Sequence, residues 1–449
     1  MPITSTFYNF LPLVCIYRLL LDYSYFHVIS KHYAYYGFHD NRTTVTLILS
    51  WILLLISYIF AKRVFLTRDN RNSSIVISIL YLLSFVPFTT CVYAKIFEDE
   101  YILFNCIYWF FLLYGEIVSL SVPVKRLPRL YIGRVGIRDM FVWIAVWFSI
   151  LLIVLVSGYY THFRLNFNLF TVYDIRLEAR NYHFPTIVSY LFSWTRAIIP
   201  VLLAYSLLKK NKAISIMLFL TQMLSFGIDG LKSAFFMPFI VIAIVSFPER
   251  ISAQRFKYYL LSGLTAITFL SMLENVLFRS HFVSELIIRR VMFIPNYLSR
   301  CYYDFFRSHA PDYFRSSFLR FLGFHSPYTT DSRGITYMIG AFYFNRPTMN
   351  CNNGLVSDAL TNLGKPGLVL MPILLVLVLR FFDRSSSHLD RRLSATTSLY
   401  LSYVILSTFL MTVLLTHGML ILIILLAMMN QDIMSESLKK VDREKRSAR

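Results

Sequence analysis

The side chains of this sequence best suited to chemistry are cations placed among apolar residues. In residues 173–180, helical spacing puts Arg176 and Arg180 on one face and Asp174 and Glu178 on the opposite face. Arginine presents planar, permanently charged donors that can bind a phosphate through two hydrogen bonds. The spacing therefore predicts a two-pronged cation clamp for an anion. A solvated amphipathic connector would show the same pattern, and this alternative remains open.

Lys232 follows a turn between two apolar stretches, residues 213–228 and 232–247, of 16 residues each. A helix of that length reaches about 24 Å, which is less than the ~30 Å of a membrane's hydrocarbon core, so we expect the turn to stop short of the surface. An ionisable residue at membrane depth is usually functional, and Lys232 would add its charge to the positive end of the second helix. The alternative is a local salt bridge with Asp229.

Residues 274–366 carry ten cations against six carboxylates. This excess suits an anion site, but it also suits contacts with lipid headgroups or with those carboxylates. Arg279, Arg289 and Arg290 are the candidates for binding negatively charged groups of a substrate. Tyr303 belongs to an aromatic run on an amphipathic helix, where its ring would stack on a sugar or lie at the membrane interface.

A polar run rich in Asn and Gly, residues 350–370, comes directly before an apolar stretch. Asn350 and Asn353 could hydrogen-bond the hydroxyl groups of a sugar. Ordinary turn chemistry before a helix would explain the glycines as well, although it explains Asp358 poorly. Asp358 is therefore a candidate site residue.

The elements that must position these residues are transmembrane helices. The chain has 449 residues, of which 57% are hydrophobic and only 15% charged, which excludes an ordinary soluble domain. We predict an all-α polytopic membrane protein, a single membrane domain over residues 1–449, with about twelve spans, or eleven if the first fails. The predicted spans are residues 7–29, 43–61, 74–94, 101–120, 139–160, 184–208, 213–228, 232–247, 257–273, 367–382, 394–412 and 414–430.

Basic residues in short loops orient these spans. Of 44 Lys and Arg, 25 fall in loops or a terminus on one side of the alternating count, so we predict that both termini face the cytoplasm. The net charge of +20 is then explained by these loops and does not indicate nucleic acid binding. The long segments 161–183 and 274–366 fall on the opposite side, the second one before the tenth span.

Metal and cofactor signatures are missing from the sequence. The five cysteines show no CxxC spacing, and the ten histidines form no HExxH motif, so we predict neither a metal nor a cofactor. The acidic residues 98–100 could bind a metal ion, so a metal-using transferase remains an alternative. The ordinary interpretation of these residues is a solvated turn. Cys301 and Cys351 share the long segment 274–366, where they would be free thiols or a disulfide.

Taken together, residues 173–180, the tip at residues 230–233, the run 290–306 and the segment 350–367 resemble the Wzy-type O-antigen polymerases, which polymerise oligosaccharide repeat units. The resemblance implies an inner-membrane glycosyltransferase of lipopolysaccharide or related polysaccharide biosynthesis, with its active site facing the periplasm. It implies an undecaprenyl-pyrophosphate-linked glycan as donor and another as acceptor. It also implies partnership with a Wzz-type chain-length regulator and a Wzx-type flippase.

The chemistry that the resemblance implies assigns roles to the candidate residues. Cleaving the bond between the anomeric carbon and pyrophosphate releases an anion, which cations of the candidate set would stabilise, namely Arg176, Arg180, Arg289, Arg290 and Lys232. Asp358 is the first candidate for the base that removes a proton from the acceptor hydroxyl, and the alternatives are Glu178, His162, His183 and His281. An O-antigen ligase would share this topology and lipid donor. A polysaccharide flippase or another transporter is the alternative from a different class, although it needs no outer segment of about 90 residues and usually shows internal repeats.

Overall fold

The computed structural model describes residues 9–67, 71–124, 135–165, 172–179, 181–249, 251–329 and 334–429. All the regular secondary structure in these ranges is helical, which confirms the prediction of an all-α protein. The chain forms two compact units. The first comprises Met1–Pro123, Ser252–Arg380 and Ser402–Thr412, and the second comprises Val124–Ile251, Phe381–Leu401 and Val413–Arg449.

The first unit is built around one deeply buried helix. Asn72–Tyr93 has 94% of its apolar window buried, whereas the figure for Thr44–Leu66 is 22%. The buried helix contains a π-helical turn, Tyr81–Phe85. The remaining helices of this unit are Phe10–Ser24, which continues through Tyr25–Ile29 and Ser30–His32, then Ala34–Tyr36, Asp99–Ser121, Ala253–Phe278, Ser284–Phe293, Ile294–Ser308, Leu319–Leu322, Ile335–Phe344 and Val356–Leu363.

The long outer segment predicted at residues 274–366 is folded into this first unit. Ile294–Ser308 buries aromatic and apolar side chains in a cluster with Ile339, Cys351 and Phe409. Its strongly amphipathic pattern therefore packs against protein, which the sequence pattern alone could not distinguish from a membrane interface.

The second unit contains the turn that carries Lys232. Lys212–Asp229 packs against Val135–Thr161, Thr186–Leu208 and Lys232–Val245. The short helix Val172–Ala179 and the terminal helix Met419–Met428 also belong to this unit. Gly367–Ser386, Arg391–Ser407 and Leu410–Leu415 each have residues in both units.

Local capping explains where several helices begin. Thr43 forms a capping box with Thr46 at the start of Thr44–Leu66. The Asn211 side chain accepts a hydrogen bond from the backbone N–H of Ile214, at 3.2 Å, and so caps Lys212–Asp229. These caps satisfy backbone donors that hydrocarbon could not satisfy.

Within the described ranges, seven helices are long and apolar enough to cross a membrane. Val356–Leu363 and Gly367–Ser386, bent by 118° relative to each other, add an eighth if they count as one span. The number and length of these apolar helices make the chain a multi-pass membrane protein. The count of twelve spans stays a prediction, because several of the remaining predicted spans are short helices such as Lys232–Val245 and Met419–Met428.

Candidate functional site

The sequence-predicted site residues fall in both units. Arg176 and Lys232 belong to the second unit, and Arg180 lies outside the described residues. The other candidates belong to the first unit: Arg279, Arg289, Arg290, Tyr303, Asn350, Asn353 and Asp358.

The turn between Lys212–Asp229 and Lys232–Val245 is the centre of the second unit's polar residues. Gly230 ends the first helix with a φ of 63°, a left-handed conformation that glycine adopts without steric cost. The Asp229 carboxylate accepts a hydrogen bond from the backbone N–H of Leu231, at 3.2 Å. Lys232 is the first residue of the next helix and is half-buried. The turn is therefore a fixed structure and holds Lys232 at a helix start.

The helix before this turn approaches another backbone segment closely at Gly227. A Cβ atom on Gly227 would lie 2.2 Å from the carbonyl oxygen of Arg164, so only glycine fits. Val172, Phe226 and Ala234 form a buried apolar cluster beside it, with Leu231 partly buried against them. This packing brings the segment around Arg164 and the helix Val172–Ala179 against the turn.

Arginines surround the turn from separate elements. The Arg164 Nη2 group donates to the carbonyl of Gly227 at 3.3 Å, and Arg176 Nε donates to the carbonyl of Gly230 at 3.2 Å. Arg196, from Thr186–Leu208, forms an ion pair with Asp229. We call Arg164, Arg176, Arg196, Asp229 and Lys232 the turn site.

Glu178 holds one of these arginines in place. Its carboxylate accepts hydrogen bonds from Arg164 Nη1 at 2.5 Å and from the Tyr182 hydroxyl at 2.6 Å. The hydrogen bond from Tyr182, and then the one from Arg164, lower the pKa of Glu178 below its usual value. Glu178 therefore stays a carboxylate and is a poor proton acceptor.

The turn site has positive charge left over for a ligand. Arg196 is paired with Asp229 and Arg164 with Glu178, whereas Arg176 forms no ion pair among the described residues. Arg164 Nε is buried and has no hydrogen-bond partner among the described residues. Guanidinium groups with unused N–H donors bind phosphate oxygens strongly where little water competes. The arrangement can bind an anionic group such as a phosphate.

Asp358 has a different environment in the first unit. The side chain is 3% exposed, and both carboxylate oxygens accept hydrogen bonds, one from the backbone N–H of Leu410 at 2.7 Å and one from Asn362 at 2.6 Å. Asp358 thereby caps the start of Leu410–Leu415. This contact gives the carboxylate a structural role, whatever part it has in chemistry.

The two predicted asparagines differ in burial. Asn353 is 2% exposed, and its amide donates to the carbonyl of Pro295 and to the hydroxyls of Ser299 and Ser357. Those contacts tie two segments of the first unit together and engage its amide donors. Asn350 is exposed.

The predicted arginines of the first unit also differ in their partners and in their exposure. Arg289 lies 3.5 Å from the Glu285 carboxylate, and its guanidinium lies 4.0 Å from the centre of the Tyr33 ring. Arg290 is half-buried, and Arg279 is exposed at the left-handed end of Ala253–Phe278.

Glu98 and Glu100, of the acidic residues 98–100, form ion pairs with cations of the segment 274–366. Glu98 lies 3.1 Å from Arg307, and Glu100 lies 3.4 Å from Lys365. The Tyr303 hydroxyl donates to Glu100 at 2.8 Å, and burial, followed by this hydrogen bond, raises the pKa of Tyr303 to about 12. Part of the positive charge of residues 274–366 is therefore neutralised within the unit.

Cys301 and Cys351 are free thiols buried in one apolar cluster. Burial raises the pKa of each to about 12, so both are unreactive as nucleophiles at neutral pH. Among the described residues, no three His, Cys, Asp or Glu side chains come together as metal ligands.

Sequence reasoning missed both Arg164 and Arg196 as site residues. Arg196 lies inside the apolar run 184–208, so its position at membrane depth was a signal for it. Arg164 offered no comparable signal, because its role depends on the close approach of its backbone to Gly227.

The chain matches no protein-family model, no curated protein and no solved structure.

Proposed function

We propose that the protein is a membrane glycosyltransferase that polymerises undecaprenyl-pyrophosphate-linked oligosaccharide repeat units into O-antigen or a related surface polysaccharide. The observation that carries this proposal is the turn site, where Arg164, Arg176, Arg196 and Lys232 converge around one turn. The motif resemblance found in the sequence adds the substrate class.

Charge explains how such a site would act. When the bond from the anomeric carbon to pyrophosphate breaks, the negative charge of the leaving group increases. Arg176 and Arg164, fixed by contacts to the turn, would stabilise that charge more strongly in the transition state than in the bound donor. Each positioned charged donor of this kind is worth about 1.5–3 kcal/mol.

The proposal includes the topology predicted from the loops. With twelve spans in the inner membrane and both termini in the cytoplasm, the turn at residues 229–231 faces the periplasm. A shallow position below the membrane surface would suit the pyrophosphate of a lipid whose isoprenoid chain stays in the bilayer. A Wzx-type flippase would deliver the donor and acceptor, and a Wzz-type regulator would set the chain length.

The experiment is the lipopolysaccharide ladder of the source bacterium after deletion of the gene. We expect lipid A-core capped by a single repeat unit, because ligation continues while chain growth stops. Wild-type protein should restore the ladder, and Arg176→Ala should not, although it reaches the membrane at the same level. Arg176→Lys should restore the ladder at best partly, because lysine lacks the bidentate geometry. Arg307→Ala, which removes a cation paired with Glu98, is the matched control and should restore the ladder.

Other ladders would overturn the polymerase assignment. Core without any repeat unit would indicate a ligase or a flippase. Accumulation of lipid-linked polymer in the same cells would then identify the ligase. A ladder restored fully by Arg176→Ala would remove the turn site from the reaction.

A further inference from the structure

The last apolar stretch of the chain is broken beside the turn site. Leu410–Leu415 ends, residues 416–418 are not helical, and Met419–Met428 begins after Gly418, whose φ is 75°. A helix break within a membrane protein leaves backbone groups that need partners, and it is tolerated where protein surrounds it or where it lines a cavity.

Two contacts position this break against the helix that carries Arg196. The Trp194 indole Nε1 donates to the freed carbonyl of Leu415 at 2.6 Å. A Cβ atom on Gly418 would lie 3.2 Å from the Cβ of Ala197. Because residues 415 and 418 lie against residues 194 and 197, His417 is held against the turn of the helix that contains Arg196.

The contacts of His417 leave its ring available. The Tyr400 hydroxyl reaches the backbone carbonyl of His417 at 3.4 Å, which fixes the main chain. Among the described residues, neither ring nitrogen makes a hydrogen bond.

The carboxylates near the turn are engaged with arginines. Asp229 is paired with Arg196 and accepts from the Leu231 N–H, and Glu178 is held by Arg164 and Tyr182. A reaction at this site that releases a proton therefore needs another acceptor. His162, His183 and His417 all have ring nitrogens without a hydrogen bond among the described residues, but His162 and His183 are exposed, whereas His417 is half-buried against the helix that carries Arg196.

We infer that His417 is the general base of the turn site, placed there by the helix break at residues 416–418. This inference rests on the proposed glycosyl transfer and assigns the base to the second unit. The acceptor hydroxyl oxygen forms a bond to the anomeric carbon as the bond from that carbon to the pyrophosphate oxygen breaks. The electron pair leaves with the pyrophosphate, and the hydroxyl proton moves to a ring nitrogen of His417, which later releases it to water.

The test measures initial rates of polymer formation by the purified full-length protein in liposomes, supplied with undecaprenyl-pyrophosphate-linked repeat units. His417→Gln should lower the maximal rate by about 100-fold or more, the usual contribution of a general base, with little change in the half-saturating donor concentration. The remaining rate should lose its dependence on pH on the acidic side. His325→Gln, at an exposed histidine of the first unit, is the control and should leave the rate and its pH profile unchanged.

The outcomes separate this inference from the proposed function. A wild-type protein that forms no polymer would refute the proposed function. An active wild type with an equally active His417→Gln variant and the same pH profile would refute the inference alone. A His417→Gln variant with a lower melting temperature and a lower rate, but the wild-type pH profile, would show a structural role and would also overturn it.

Discussion

The arginines of the turn site differ in how many of their N–H donors already have partners. Arg196 is paired with Asp229, and Arg164 is shared between Glu178 and the Gly227 carbonyl. Arg176 contacts the Gly230 carbonyl through Nε, and its terminal nitrogens make no contact among the described residues. Arg176 is therefore the arginine most available to a ligand.

Asp358 provides the sharpest prediction at the residue scale, because its two candidate roles respond differently to one substitution. As the cap of Leu410–Leu415, it needs one oxygen acceptor and no charge, and asparagine keeps that oxygen while it loses the acceptor for Asn362. Asp358→Asn should therefore keep most of the activity, whereas Asp358→Ala should lower the stability by about 1–2 kcal/mol. Polymer formation and thermal unfolding in detergent measure the two effects. Loss of activity in a stable Asp358→Asn variant would restore the general-base role predicted from the sequence.

The sequence predicted Arg176 and Lys232 from residue chemistry and helical spacing, and both contribute to the turn site. Asp358 could not be interpreted in the same way, because its partner Leu410 is 52 residues away. Neither helical nor alternating periodicity reports a contact between segments that distant in the chain. Long-range contacts of this kind decide whether a buried carboxylate caps a helix or is available for catalysis.

At the scale of elements, the close approach at Gly227 determines whether the turn site forms. Gly227→Ala would place its Cβ 2.2 Å from the Arg164 carbonyl oxygen, so the segment carrying Arg164 must move away. We expect a loss of polymer formation and a lower melting temperature. Gly263→Ala is the matched control, because no atom lies within 4 Å of a Cβ at that helical position. Activity of Gly227→Ala equal to that of Gly263→Ala would show that this approach does not matter.

Helix positions could be predicted well from apolar runs, whereas their interruptions could not. The run 184–208 corresponds to Thr186–Leu208, and the run 213–228 corresponds to Lys212–Asp229. The structure interrupts the run predicted at 414–430 at residues 416–418, and this break is held by contacts with Trp194 and Ala197 in another helix. Hydrophobicity identifies a buried element and leaves its neighbours undetermined.

At the scale of the whole molecule, the candidate residues divide between two compact units, each with its own buried polar contacts. In the first unit, ion pairs neutralise cations such as Arg307 and Lys365. In the second unit, the turn site keeps more cations than carboxylates. The positive charge of the long segment 274–366 suggested an anion site there. In the structure, however, arginines from separate elements converge on the Gly227–Lys232 turn.

In the proposed function, this turn binds the pyrophosphate of a lipid-linked glycan. The most direct measurement is the affinity of purified protein in nanodiscs for undecaprenyl pyrophosphate, with undecaprenyl phosphate as the comparison ligand. The account predicts tighter binding of the pyrophosphate, weakened at least about 10-fold in Arg164→Ala/Arg176→Ala and unchanged in Arg307→Ala. Equal affinities of the wild type and the double variant for the pyrophosphate lipid would contradict it.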